Sequence, residues 1–142
     1  ESIVNFPITK SRQHYLRVAL PETYQHLVDL EIKQDYSMGY ASHFGFRAGT
    51  CTPFYFYDLD FEIQTPLKVF PFAAMDVTLK DYLNYTPKKA YNTIMHLANE
   101  VRKVRGTMIT VFHNESASGN GDWRGWSKLY ESLLREMSKL KQ

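Results

Sequence analysis

Apolar and polar positions follow two rhythms along this chain, and the change from one to the other divides it into strands and helices. The clearest extended run is Gly106-Thr-Met-Ile-Thr-Val-Phe-His-Asn114, β-branched and apolar residues that stop at an imidazole and an amide. So continuous an apolar run does not suit a strand with one wet face, and it reads as a buried parallel strand over 107–113. The helical rhythm is clearest after Thr86-Pro87, where Thr can cap and Pro suits the first turn. Ala90, Ile94, Leu97, Ala98 and Val101 then share one face. Gly106 ends this helix, expected over 87–104.

Elsewhere the pattern is shorter-ranged. Residues 1–9 read as a lead-in broken by Pro7, and 11–18 as a strand that is polar at its start. Pro21 opens a helix over 21–31, with Glu22 at the positive end of its dipole and Tyr24, Leu27, Val28 and Ile32 as its buried stripe. A short extended piece is expected at 32–36. Residues 54–63 alternate aromatic and acidic groups and fit a strand or a loop equally. Residues 67–73 read as a strand despite Pro71, which marks an edge or a bulge, and Asp76 lies just past it. The small residues of 115–122 read as a loop. A last helix is expected over 123–140, capped by Asp122 and burying Trp126, Leu129, Tyr130, Leu133 and Met137. Strand–helix alternation of this kind predicts an α/β fold. Its strands, at 11–18, 32–36, 67–73 and 107–113, would share one largely parallel sheet with the helices packed outside.

The bulk numbers narrow the function classes only a little. A chain of 142 residues suits one domain with a single core, here taken as 1–142. A net charge of +2 makes no electrostatic case for nucleic acid. One cysteine, Cys51, excludes an internal disulfide and a cysteine-based zinc site; that fits a reducing compartment, and a cytoplasmic location is expected. No apolar run approaches the roughly 20 residues of a membrane span. Aromatic residues reach 15%, mostly Tyr and Phe, which are common in cores and in carbohydrate-binding clefts. The Gly45-Phe-Arg-Ala-Gly-Thr50 loop lacks the spacing of a phosphate-binding loop and precedes Pro53 rather than a helix.

Chemistry-bearing residues gather where strands stop: Arg12 and His14, Asp35, Asp76 and His113, with Arg47 on a nearby loop. In a parallel α/β arrangement those carboxyl edges converge, so the groups can share one cleft. A carboxylate beside an imidazole favours the charged ring that a general acid requires, and an arginine beside a carboxylate keeps it ionised as a base. Singly, each has a plainer role open to it: Asp35 and Asp76 as turn formers, Arg12 and Arg47 as solvated charges, His113 as a hydrogen-bonded structural group.

Five segments in order carry a resemblance. They are Ser11-Arg-Gln-His-Tyr-Leu16, the stretch from Leu30 to Tyr40, Gly45-Phe-Arg-Ala-Gly-Thr50, Met75-Asp-Val-Thr-Leu79 and Thr110-Val-Phe-His-Asn114. Together they resemble the C-terminal portion of polysaccharide deacetylase (NodB-type) proteins, most closely a Bacteroides-like branch, over roughly residues 5–135. The resemblance implies the later part of a distorted (β/α)7 barrel with mainly parallel strands, and metal-dependent removal of acetyl groups from the amino sugars of a surface glycan. In that family an aspartate and two histidines hold a metal, usually zinc. A second aspartate acts as base on the bound water, and a late-strand histidine protonates the leaving amine. His113 matches that histidine. Arg12 stands where the family has an arginine that steadies the base, and Asp35 where it has an aspartate after the next strand, with Asp76 as the alternative match. His14, Arg47 and Asp76 are expected as substrate contacts.

The departures shape the expectation as much as the matches. The family's Asp-Asp and His-x-x-x-His motifs do not occur here, Gln13 and His14 replace the usual prolines, and Glu31 stands where glycine is usual. The chain, which begins Glu-Ser-Ile, therefore reads as the later half of a catalytic domain whose partner is the N-terminal half of the same domain. His14, His26, His43, His96 and His113 form no close pair with a carboxylate to complete a metal triad. No zinc bound by this chain alone, and no turnover by it alone, are the expectations. An edge left open by missing strands predicts a dimer or larger homo-oligomer. The alternative is a non-catalytic carbohydrate-binding or scaffold domain that kept the barrel.

Overall fold

A computed structural model of the protein describes residues 5–139; the start of the expected lead-in (1–4) and the end of the expected last helix (140) lie outside the described residues. The strands are β1 (Lys10–Ser11), β2 (Gln34–Asp35), β3 (Phe54–Asp58), β4 (Ile63–Val69), β5 (Ala74–Met75) and β6 (Thr110–Val111). The helices are α1 (Glu22–Asp29), α2 (Pro87–Lys103), α3 (Asn114–Ser118) and α4 (Trp126–Lys139). A π-helical turn spans Thr78–Tyr82, and 3-10 turns span His14–Leu16 and Gly121–Trp123.

The result is mixed α/β with mostly parallel strands and no closed barrel among the described residues. β1, β2 and β4 run parallel, β3 adds antiparallel to β4, and the sheet order is β1-β2-β4-β3. β5 and β6 form a separate parallel pair. The single sheet expected from the sequence is therefore two. A pairing of two residues satisfies few backbone groups, so main-chain bonds from the flanking residues complete the connection: Phe70 N donates to Asp35 O, Phe72 N to Met38 O and Ala73 N to Ile109 O.

Several expected elements differ. The strand over 11–18 stops at Ser11, because Tyr15 and Leu16 take left-handed backbone angles (φ 56° and 53°) that no strand tolerates. Residues 54–63 resolve into β3 and the turn into β4, with β3 exposing Tyr55 and Tyr57 while burying Phe56 and Asp58. Pro71 lies beyond β4, so no ladder bond is lost to it. Part of the loop expected over 115–122 is helix α3. The last helix starts at Trp126 rather than Trp123, and Asp122 sits in the preceding 3-10 turn. Gly125, at φ 86°, separates that turn from α4.

Two apolar cores hold these parts. Tyr24, Leu27, Ile32, Met38, Phe56, Leu67 and Val69 join α1 to the four-stranded sheet. Ala74, Leu79, Ala90, Ile94, Trp126, Leu129 and Leu133 join α2 and α4 to β5. Each fully buried Leu or Ile contributes about 1.5–3 kcal/mol, so these faces dominate the small propensity terms of the helices. The α2 start is as read: the Thr86 side chain accepts from Lys89 N, and Pro87 is the first residue. Gly39 is dictated by packing, since a Cβ there would lie 2.2 Å from the ring of buried Phe72.

Candidate functional site

Register brings the chemistry together. Ala74 lies opposite Thr110 and Met75 opposite Val111, so the residues leaving the ends of β5 and β6 emerge side by side. Asp76 is the first residue past β5, and His113 is the second past β6. The Asp76 carboxylate is fully buried (0% exposed) and wraps the histidine at two points. Oδ1 lies 2.7 Å from His113 Nδ1, and Oδ2 accepts from His113 N at 2.6 Å. Val77 N donates to Oδ1 at 2.7 Å, and Ser116 Oγ donates to Oδ2.

An ionised carboxylate can only accept, so the Asp76–His113 contact assigns the proton to Nδ1. Nε2 is then the nitrogen left to exchange a proton. The His113 side chain is 46% exposed, which gives that nitrogen access to solvent or substrate. The carboxylate is the buried half of the pair and the ring the accessible half, the arrangement in which one orients and the other reacts.

His113 opens on a cleft of about 410 Å³ lined also by Arg12, His14, Tyr15, Met75, Val111 and Tyr82. Tyr15 and Tyr82 are 77% and 57% exposed there, two aromatic faces beside the His113 ring. Arg12 donates from Nε to Tyr36 O at 3.2 Å, its guanidinium 5.9 Å from the Tyr36 ring. Tyr36 in turn stacks on Phe70 with centroids 4.8 Å apart. Because Ser11, Asp35 and Val69 are in register, the next residues Arg12, Tyr36 and Phe70 form this row at the carboxyl edge.

Of the residues singled out from the sequence, Arg12, His14 and His113 thus share one cleft, with Asp76 behind His113. Asp35 is elsewhere. It is fully buried beneath the edge, where Oδ1 accepts from Tyr24 Oη at 3.1 Å and Ser37 N at 2.9 Å, and Oδ2 from Ser37 Oγ at 2.7 Å. Ser37 Oγ also accepts from Gln13 N at 2.8 Å, which ties this carboxylate to the cleft wall. Arg12 and Asp35 form no ion pair; the carboxylate that His113 meets is the alternative, Asp76. Arg47 is exposed on its loop and does not line the cleft, although its charge is felt at Tyr24. Ser116, Ser37 and Tyr24 were not distinguished by the sequence as parts of a site. An Asp35-x-Ser37 spacing is the one signal that could have marked an Asx-type turn.

Burial pushes the Tyr24 phenol far above its ordinary value, helped by the charge and hydrogen bond of Asp35 and opposed by Arg47. The fold therefore favours the protonated phenol. Its contribution is whole below about pH 10, the unfolded value, and is lost as pH rises through the folded one. Stability is expected to fall above about pH 10 more steeply in the wild type than in Tyr24→Phe, by up to about 1.4 kcal/mol per pH unit. Urea melts at pH 9, 10 and 11 read this; parallel slopes for the two proteins would refute it.

Among the described residues, no three of His, Cys, Asp and Glu converge on a point that could hold a metal ion. Asp76 has both oxygens occupied by four donors, and His113 Nδ1 is taken. Among the described residues, the carboxylate and the ring nitrogen at this site already have partners within the protein. Among the described residues no helix is long and apolar enough to cross a membrane. No family model, curated protein or solved structure matches this chain.

Proposed function

We propose that this chain is the later part of a polysaccharide-deacetylase-like catalytic domain, acting on N-acetylated amino sugars of a surface glycan. The single observation that carries the reading is the pairing of buried Asp76 with His113 at the mouth of a tyrosine-lined cleft. Amide hydrolysis needs a proton delivered to the departing nitrogen as the C–N bond breaks. His113 suits that role, because Asp76 holds Nδ1–H and leaves Nε2 facing the cleft to carry the proton to the amine. Arg12 and His14, in the same cleft, supply donors for sugar hydroxyls and the acetyl carbonyl. Tyr15 and Tyr82 offer flat faces of the kind that pack on pyranose C–H groups. The order of the sequence segments supports the family, and the parallel edge is compatible with part of a barrel wall. On this reading the zinc ligands belong to the N-terminal half of the domain.

The test is acetate release from N-acetylglucosamine oligomers with added zinc. Residues 1–142 alone are expected to give none, and the domain completed by its N-terminal half is expected to turn over. Absence of acetate from the completed domain across several glycans would sink the enzymatic reading. A second reading, a carbohydrate-binding domain without turnover, draws on the exposed Tyr15 and Tyr82; glycan binding lost in a Tyr15→Ala, Tyr82→Ala double variant, with no acetate released, would decide for it.

A further inference from the structure

Ser116 is fully buried and lies on α3, three residues beyond His113. Its hydroxyl meets two acceptors, Asp76 Oδ2 and, at 2.8 Å, the His113 carbonyl. One hydroxyl proton serves one acceptor at a time, and the carboxylate is the stronger of the two. The four donors on Asp76 divide evenly: Val77 N and the His113 ring on Oδ1, His113 N and Ser116 Oγ on Oδ2. Rotation about the last carboxylate bond is soft, so these donors, not an intrinsic rotamer preference, set the plane of the group.

We propose that Ser116 is a positioning residue of the site, its hydroxyl locking the Asp76 carboxylate so that Oδ1 stays on His113 Nδ1 and Nε2 is presented to the cleft. The inference rests on the reading of His113 as the proton-transferring group. Without the hydroxyl, Oδ2 keeps only one donor. The carboxylate plane relaxes, and the imidazole can exchange which nitrogen bears the proton. Because the site is closed to solvent at Ser116, water does not reach in to replace the lost donor. The chemistry is that of an outer partner that fixes a histidine's tautomer and orientation.

Ring ¹⁵N spectra of residues 1–142 test this without any turnover. Neutral His113 in the wild type is expected as the Nδ1–H tautomer, and Ser116→Ala is expected to give a mixture with Nε2–H. Ser116→Thr, which keeps a hydroxyl, is expected to restore the single tautomer. In the completed domain Ser116→Ala is expected to lower kcat about 10-fold with KM unchanged. Should Ser116→Ala fail to fold, the wild type decides: a Ser116 hydroxyl proton protected from exchange with water supports the proposal, and one averaged with water overturns it. An unchanged tautomer in folded Ser116→Ala also overturns it. A shifted tautomer with no turnover even in the completed wild-type domain leaves the positioning role standing and removes the deacetylase reading.

Discussion

Asp76→Ala is expected to destabilise the protein by about 3–5 kcal/mol, the largest single-residue effect on the fold outside the apolar cores. The carboxylate is 0% exposed and accepts from Val77 N, His113 N, the His113 ring and Ser116 Oγ. Deleting it leaves the Val77 and His113 main-chain N–H groups without this acceptor, each at about 1–3 kcal/mol, while the Ser116 hydroxyl turns to the His113 carbonyl. It also cuts the side-chain link from the end of β5 to the turn after β6. Asp76→Asn is expected to recover part of this loss but not all of it. Each carboxylate oxygen faces one main-chain N–H, so an amide NH2 in either position opposes one of them, while the His113 ring or the Ser116 hydroxyl can turn to accept from it. Urea denaturation reads both variants as a fall in midpoint at constant slope. An asparagine variant as stable as the wild type would show that the network does not hold the site together.

On the proposed deacetylase reading, His113→Asn should show the opposite balance, near-native stability with turnover lowered about 10²- to 10⁴-fold in the completed, zinc-supplied domain. The asparagine amide nitrogen can stand where Nδ1 stands and still donate to Asp76, while the main-chain bond from residue 113 to Oδ2 is untouched. With the side chain 46% exposed, little apolar packing is lost. What disappears is Nε2, the nitrogen that on the proposed reading carries the proton to the leaving amine. Steady-state rates of acetate release on N-acetylglucosamine oligomers provide the measurement. Rates within about threefold of wild type would move proton delivery to another cleft residue, His14 being the nearest candidate by chemistry. Together the two substitutions separate the group that builds the site from the group that uses it.

Much of this was legible in local pattern. The α2 cap at Thr86-Pro87 and its buried Ala90, Ile94, Ala98 and Val101 follow from spacing and intrahelical geometry, which need no distant partner. The α1 stripe of Tyr24 and Leu27 and the α4 stripe of Trp126, Leu129 and Leu133 were likewise written in the 3.6-residue period. His113 was legible because an apolar run ended at it. Strand lengths were not. The 11–18 segment carries strand-like residues, yet the backbone at Tyr15 and Leu16 is left-handed, a choice made by where the turn must go.

The sequence by itself determined α1, α2 and most of α4, their buried faces and the placing of polar residues at the ends of extended segments, because those depend on neighbours a few positions apart; the short α3 was read as loop. Only the tertiary structure decided which carboxylate His113 would meet. Asp35 and Asp76 have similar local settings, and the choice rests on β5 pairing with β6 at Met75 and Val111 while β2 pairs with β1 and β4. Asp76 and His113 are 37 residues apart in the chain and 2.7 Å apart in space. No local period encodes a contact of that span; strand pairing sets it, through backbone hydrogen bonds that are alike for every residue, and the packing of α2 and α4 beneath β5 holds it there.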